Sequence, residues 1–247
     1  QQLLSSEKQL NTLIRQEIQD DARRYADPRR CPLIERHPAQ ALDETSLTPS
    51  EPMVVVLSQK GWVRAAKGRE IDATALSYKA GDGFLDQAQG RSNQMAVFMD
   101  TTGRSYTLPV AGLASARGYG EPLTGKLSPP DGARFVHVLL SHPEDLYLLA
   151  TDAGYGFLCA FDDLLSRNKA GKVVLTVPDS ARILSPLPVA NLETDRLIAI
   201  SNSGRLLLFP VCELPRLAKG KGNKILDLSG EGAQREQLTL LMLAPLE

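Results

Sequence analysis

Three stretches of this chain place lysine beside glycine: Gly118-Tyr119-Gly120-Glu121-Pro122-Leu123-Thr124-Gly125-Lys126, Arg167-Asn168-Lys169-Ala170-Gly171-Lys172 and Lys219-Gly220-Lys221-Gly222-Asn223-Lys224. A glycine loop lets the backbone come close to a phosphodiester and present N–H groups, while lysine brings charge without reading base sequence. A turn accounts for the glycines. It does not account for Lys126, Lys169, Lys172, Lys219, Lys221 and Lys224, nor for Arg64, Lys67, Arg69, Arg104, Arg117, Arg167 and Arg205 near stretches of the same kind. These cations are the candidate set for contacting the phosphates of duplex DNA.

No other reacting constellation is visible. There is no G-x-S-x-G, no plausible serine or cysteine nucleophile with a histidine and an orienting acid, and no G-x-x-x-x-G-K-[ST] loop. Gly118-Tyr119-Gly120 has the first two glycines of a dinucleotide fingerprint and lacks the third. His37, His137 and His142 are scattered, and Cys31, Cys159 and Cys212 lack metal-ligand spacing. Cys159 and Cys212, each in an apolar run, read as small buried hydrophobes in a reducing compartment. Asp162-Asp163 and Glu144-Asp145 read as solvated loop charges. The expectation is therefore no catalytic residue, no metal site and no cofactor in this chain.

The cations need elements to hold them, and a repeat supplies these. Four times an apolar run climbs to Ser, Thr or Asp, turns over a glycine and descends: Val54–Trp62, Val97–Arg104, Leu148–Tyr155 and Ile198–Arg205, with turn glycines at Gly61, Gly103, Gly154 and Gly204. The period is about 40 to 50 residues, the range of propeller-like arrays. Each repeat reads as two halves, a hairpin over its turn glycine and a second segment opened by a Gly/Lys loop, of which Lys79-Ala80-Gly81-Asp82 is the first. Two such halves give about four strands, one blade. Leu238–Leu243 reads as the start of a fifth unit that stops without its turn. The fold class is thus all-β, an array of about five four-stranded blades over 53–247 with the last truncated. If each blade aims its loop at one rim, the cations line a curved edge that suits a bent duplex.

Ahead of the array, Leu3, Leu10, Leu13, Ile14 and Ile18 have helical spacing, so 3–26 reads as a helix ended by Asp27-Pro28. Residues 28–52 hold five prolines and no period, and read as a linker. The start lacks an initiator Met and falls inside the helical pattern, so the chain reads as a fragment of a longer protein. At 43% hydrophobic and 23% charged the composition is that of a soluble globular protein, with no apolar run near ~18 residues to span a membrane. The net charge is -1. From 51 to 247 there are 21 basic and 21 acidic residues, so a basic edge is balanced by acids elsewhere and its affinity should be modest and salt-dependent.

The stretches Val56–Gly68, Arg91-Ser92-Asn93-Gln94, Thr102–Tyr106, Ser115–Lys126, Thr151–Phe157 and Lys219–Lys224 together resemble the C-terminal domain of the A subunit of bacterial DNA topoisomerase IV. The resemblance implies a β-pinwheel, four-stranded blades that exchange a strand with their neighbours and bend DNA around their edge. Residues 3–36 look like the end of the helical arm of the breakage-reunion domain and its connector. The resemblance further implies a parent type IIA topoisomerase that passes one duplex through another, with its catalytic tyrosine, Mg2+ carboxylates and ATP site outside this chain. Its partners would be double-stranded DNA, the ATPase (B) subunit of the enzyme and a second copy of the A chain. Its location would be cytoplasmic and chromosome-associated. This domain would present the transported duplex and tune decatenation and supercoil relaxation. The A chain of gyrase carries a Q-R-R-G-G-K-G box for full wrapping, whereas this chain has only Ala218-Lys219-Gly220-Lys221-Gly222. The alternative reading is a propeller-like scaffold that binds a chromosome-organising protein.

Overall fold

The computed structural model of the chain describes residues 6–27, 50–69, 71–228 and 236–245. The chain divides into two compact units, Gln1–Ala41 and Leu42–Glu247. In the first, α1 runs from Glu7 to Tyr25 and ends where the residues before Pro28 leave helical geometry. Ser6 takes the N-cap position without a side-chain cap bond, and no residue of α1 is buried. Its stripe of Leu10, Leu13, Ile14 and Ile18 is exposed. Most of the expected linker, 28–49, lies outside the described residues.

The second unit is built from β1 (Pro52–Ser58), β2 (Trp62–Lys67), β3 (Phe84–Arg91), β4 (Met95–Asp100), β5 (Arg104–Pro109), β6 (Glu121–Pro122), β7 (Phe135–Leu139), β8 (Leu146–Ala150), β9 (Tyr155–Ala160), β10 (Lys172–Val173), β11 (Leu187–Val189), β12 (Asp195–Ser201), β13 (Leu206–Pro210), β14 (Asn223–Lys224) and β15 (Leu238–Pro245). These form four sheets, ordered β3-β1-β2-β6, β10-β5-β4-β7, β11-β8-β9-β14 and β13-β12-β15. Each of the four expected hairpins lies in a sheet of its own, central in the first three and at one edge of the fourth. A later strand of the repeat pairs back on the hairpin's first strand, as β3 does on β1 and β7 on β4. The second-half segment does not stay in its own sheet. β6 leaves the second repeat to pair with β2, β10 leaves the third to pair with β5, and β14 leaves the fourth to pair with β9.

The number of blades is four, not about five. The Leu238–Pro245 strand does not open a fifth unit. It lies antiparallel along β12 from Asp195 to Ser201 and closes the fourth sheet, with Leu241 and Leu243 packed against the core between the third and fourth sheets. That sheet has three strands among the described residues, and its β13 edge leaves Leu206 and Leu208 exposed.

Packing between successive sheets explains why the hairpin strands are apolar on both faces. Val55, Leu57 and Val63 meet Ala96, Phe98 and Tyr106 between the first and second sheets. Val97 and Met99 meet Tyr147, Leu149 and Phe157 between the second and third. Leu148 and Leu158 meet Leu197, Ala199 and Val211 between the third and fourth. A strand buried on both faces reads as a continuous apolar run rather than an alternation. The other face of β1, through Val54 and Val56, is covered by Ala73, Ile71, Tyr78 and Phe84 of its own repeat.

At the hairpin tips a carboxylate satisfies turn amides. In the first blade the Ser58 hydroxyl accepts from the Trp62 N–H and donates to Asp82, which also accepts from the Lys60 and Gly83 N–H groups. Burial alone would raise the Asp82 carboxyl, but these hydrogen bonds and the Lys60 charge outweigh it and hold the group below its ordinary 3.8. Asp145, bonded by the Ser141 hydroxyl and the His142 N–H, is lowered as well. A depressed folded value stabilises above the unfolded pKa and loses that contribution as pH falls through the folded one. Acid unfolding should therefore set in below about pH 4, and Asp82→Asn should flatten that limb in a urea-midpoint series against pH. An unchanged acid limb would refute the assignment.

The two described cysteines separate. Cys159 is buried, and burial pushes its thiol up to about 12. Cys212, expected to be buried, is exposed, because it sits in the short 3-10 turn after β13 where only Val211 points inward. Cys31 lies outside the described residues.

Candidate nucleic-acid interface

The three Gly/Lys stretches are the crossing segments. Each leaves one repeat, passes along the second hairpin strand of the sheet before it and ends in β6, β10 or β14. On the first sheet the crossing backbone pairs with Ala65 through Ala114 and Ala116, and on the third with Leu158 through Pro215 and Leu217. After each crossing strand an apolar residue locks under the hairpin turn. The N–H groups of Leu123, Leu175 and Ile225 donate to the carbonyls of Gly61, Gly103 and Gly154, and all three side chains are buried. The closing strands β3 and β7 lie against one another, as do β11 and β15. The crossing segments occupy the opposite edge of their sheets.

This geometry corrects the expected role of three loop glycines. Gly120, Gly171 and Gly222 have positive φ and face protein rather than solvent. A Cβ on Gly120 would collide with the Val63 carbonyl, one on Gly171 with Tyr106 and the Ser105 carbonyl, and one on Gly222 with the Gly156 carbonyl. They let a crossing segment press onto the neighbouring sheet. Gly118 has open space around it, and Gly220 meets nothing closer than 3.8 Å.

The candidate cations divide by their surroundings. Four are paired with carboxylates: Lys67 with Glu51 at 2.6 Å, Lys126 with Glu121 at 2.5 Å, Arg205 with Glu236 at 2.9 Å and Lys224 with Asp227 at 2.8 Å. Lys126 is also bound by the Gly112 carbonyl, and Arg205 by that of Asp227. Arg104 donates to the Ala170 carbonyl of the crossing loop, which ties the second hairpin to that loop. Lys221 lies over the Tyr155 ring at 3.7 Å. Arg64 is buried, donating to the Ser77 and Gly118 carbonyls with its guanidinium over Tyr78. Lys172 is half-buried. The side chains of Arg69, Arg117, Arg167, Lys169 and Lys219 are exposed and make no ion pair or hydrogen bond among the described residues. The last four fall one or two to each crossing segment: Arg117 on the first, Arg167 and Lys169 on the second, Lys219 on the third.

Two cations outside the candidate set share the tip of the first hairpin. Lys79 lies over the Trp62 ring at 3.5 Å, and Lys60 donates to the Ala80 carbonyl. Trp62 and Tyr155 both follow a turn glycine, and each is capped by a lysine from a Gly/Lys loop. That repeat position was the available signal. Among the described residues no group of three or more His, Cys, Asp or Glu is placed to hold a metal, and no helix is long and apolar enough to cross a membrane.

Successive hairpin-built sheets, the first three each completed by a strand from the following repeat, define the gyrase-type C-terminal propeller. The family model described as DNA gyrase C-terminal domain, beta-propeller, matches residues 145–190 and 195–233. The fold is similar to the solved structure of the E. coli ParC C-terminal domain, with a TM-score of 0.74 and 50% identity over 79% of this chain and 80% of that one. A second solved structure, a C-terminal domain of DNA topoisomerase IV, has a TM-score of 0.62 over 80% of this chain and 62% of that one at 12% identity, and shows the fold alone. The chain belongs to the family of C-terminal domains of topoisomerase IV A subunits. It is 54% identical over 99% of its length to the DNA topoisomerase 4 A subunit of Pseudomonas aeruginosa and 51% identical over 96% to that of Escherichia coli K12. It spans about a third of the length of these relatives, 33% and 31% respectively.

Proposed function

We propose that this domain binds duplex DNA by its phosphate backbone along the edge formed by the crossing segments, and bends the duplex there. The observation that supports the reading is the recurrence of solvent-facing, unpaired cations on each crossing segment: Arg117, Arg167 with Lys169, and Lys219. Contacts of this kind position a duplex without reading its sequence. The paired cations Lys67, Lys126, Arg205 and Lys224 contribute less, because their charge is already neutralised locally.

In the parent enzyme such an edge would hold the transported duplex near the cleavage site and so influence decatenation and relaxation. The chemistry would lie elsewhere, with Mg2+ and ATP bound outside this chain. A dimer of A chains together with the ATPase (B) subunit would complete the assembly, and the chromosome in the cytoplasm would be its place of action. Mg2+ would be held by carboxylates of the breakage-reunion domain, so none of the residues described above is assigned to it.

Charge reversal tests the reading. The triple variant R117E/K169E/K219E is expected to weaken low-salt retardation of linear duplex at least tenfold on every sequence. It should also lower the slope of log affinity against log salt by about 0.9 for each phosphate no longer neutralised. Reversal of the paired residues Lys126 and Lys224 should do less. Unchanged retardation in the triple variant would sink the assignment, and salt-insensitive retention would favour the scaffold reading.

A further inference from the structure

A pentapeptide recurs at one place in the two middle blades, as Pro130-Asp131-Gly132-Ala133-Arg134 and Pro178-Asp179-Ser180-Ala181-Arg182. Each copy is a turn in which the alanine N–H donates to the proline carbonyl and the third residue takes a positive φ, 78 at Gly132 and 63 at Ser180. Ser180 is the one non-glycine residue with positive φ among those described, in a conformation that disfavours an L side chain. The turn fixes the backbone of the arginine after it at two points. The Thr101 N–H donates to the Arg134 carbonyl at 2.8 Å and the Arg134 N–H to the Thr101 hydroxyl at 3.2 Å. The Asp152 N–H donates to the Arg182 carbonyl at 2.9 Å and the Arg182 N–H to the Asp152 carboxylate at 2.8 Å. The first and fourth blades make the same carbonyl contact with Gly83 and Gln237, so the fold does not require arginine there.

Both arginine side chains are exposed, and neither enters an ion pair among the described residues. They line one cavity of about 590 Å3 with His137 and the aliphatic side chains of Leu85, Val136 and Ile183. No carboxylate lines it: Asp131 and Asp179 of the turns do not reach it, and Asp86 is engaged by His137 at 3.4 Å and the Val138 N–H at 3.0 Å. Leu85 lies on β3, Val136 on β7, and Ile183 is bridged to Thr151 ahead of β11. The closing strands β3, β7 and β11 form the opposite edge of their sheets from the crossing segments, so a duplex on the crossing edge leaves this cleft free.

We propose that this cleft receives an acidic, extended segment of a partner protein, with an aliphatic side chain against Leu85, Val136 and Ile183 and carboxylates on Arg134 and Arg182. The inference goes beyond the DNA reading and does not depend on it. Charge and wall together select the occupant. Guanidinium and carboxylate match in planar, bidentate geometry, and arginine groups are a recurring means of capturing acidic motifs. A phosphodiester chain has nothing aliphatic to offer the wall, and a small inorganic anion would leave that wall wet. Because both arginine backbones are already held, binding orders little beyond their side chains.

Fluorescence anisotropy of a labelled peptide, E-E-D-L-D-E-I-E-E, would be followed as the protein is added. Two control peptides separate the contributions: Q-Q-N-L-N-Q-I-Q-Q lacks the acids, and E-E-D-S-D-E-S-E-E lacks the aliphatic anchors. The variants are R134Q, R182Q and R134Q/R182Q, in which glutamine keeps the backbone bonds as Gln237 does in the fourth blade. The expected result is saturable binding of the first peptide, about three- to tenfold weaker in each single variant and more than tenfold weaker in the double. Both control peptides should bind at least tenfold more weakly than the first, and R134Q/R182Q should retard duplex DNA as the wild type does. No saturable binding of the first peptide, or equal binding to the wild type and the double variant, would overturn the proposal. Equal binding of the serine peptide would reduce the cleft to a basic patch, and full displacement by sodium phosphate at matched ionic strength would make it a small-anion site; either result overturns the proposal. If R134Q/R182Q loses duplex and peptide together, the arginines belong to the DNA surface and the peptide site is wrong. If R117E/K169E/K219E keeps its duplex affinity while the peptide results hold, the DNA reading fails and this one stands.

Discussion

Asp100→Ala is expected to cost about 3 to 5 kcal/mol of stability, read as a lower urea midpoint at constant slope. Asp100 is fully buried at the tip of the second hairpin. One of its carboxylate oxygens accepts from the Thr102 N–H at 2.9 Å, the Thr102 hydroxyl at 2.7 Å and the Arg104 N–H at 3.1 Å. The other accepts from the Tyr106 hydroxyl at 2.6 Å. Tyr106 is itself buried, and burial followed by this bond raises its phenol well above the ordinary value of 10.0. Alanine would strand two turn amides and a buried phenol, and leaving buried donors unmade is the expensive side of hydrogen bonding. Asp100→Asn keeps an acceptor for the turn and should cost about half as much. Tyr106→Phe removes only one partner, so a double-mutant cycle should return a coupling of about 1 to 2 kcal/mol. A loss under 1 kcal/mol in the alanine variant would show that the turn holds without its carboxylate.

Gly222→Ala is expected to release the crossing strand of the fourth repeat, with a loss of about 2 to 4 kcal/mol. Its φ is +79, which disfavours any L side chain, and the added Cβ would be driven into the Gly156 carbonyl of the neighbouring sheet. Relief requires β14 to lift from β9, which exposes Ile225 and Leu226, now buried between the third and fourth sheets. Hydrogen exchange should report this directly through faster exchange at the Ile225 amide, whose bond to the Gly154 carbonyl would break. Gly118→Ala makes the control, because a Cβ there meets nothing within 4 Å. Equal losses in the two variants would mean that contact with the neighbouring sheet does not set the requirement for glycine at 222. Loosening this segment should also blunt DNA binding through Lys219, since a cation on a free loop loses more entropy when it docks.

The residues that were legible in advance are those whose signals are local. The turn glycines Gly61, Gly103, Gly154 and Gly204 each take the positive φ that their own hairpin turn imposes, so their spacing marked four blade centres correctly. The apolar runs from Val54 and Val97 likewise marked the first strands of hairpins. Leu238–Leu243 misled because it is an apolar run like the first strands of the blades; only its pairing with β12 shows that it closes a sheet. Cys212 misled in the same way, since an apolar run does not say which of its members a 3-10 turn points inward.

The composition of the edge was beyond local signals. Lys126, Lys224 and Arg205 read like Arg117 and Lys219 in one dimension. Their ion pairs with Glu121, Asp227 and Glu236 depend on how loops fold back, and Glu236 reaches Arg205 from 31 residues away. Crossing strands of two residues have no period to detect, so the exchange between sheets entered only through family resemblance. What the amino-acid order determined by itself was the repeat and its turns, because steric demands of glycine and runs of buried aliphatics act within a few residues. Which of the described cations stay unpaired, which loop glycines face protein, and that Arg64 is buried against the Ser77 and Gly118 carbonyls were decided only when segments distant in sequence met across sheet edges, since electrostatic pairing and steric exclusion depend on distance in space.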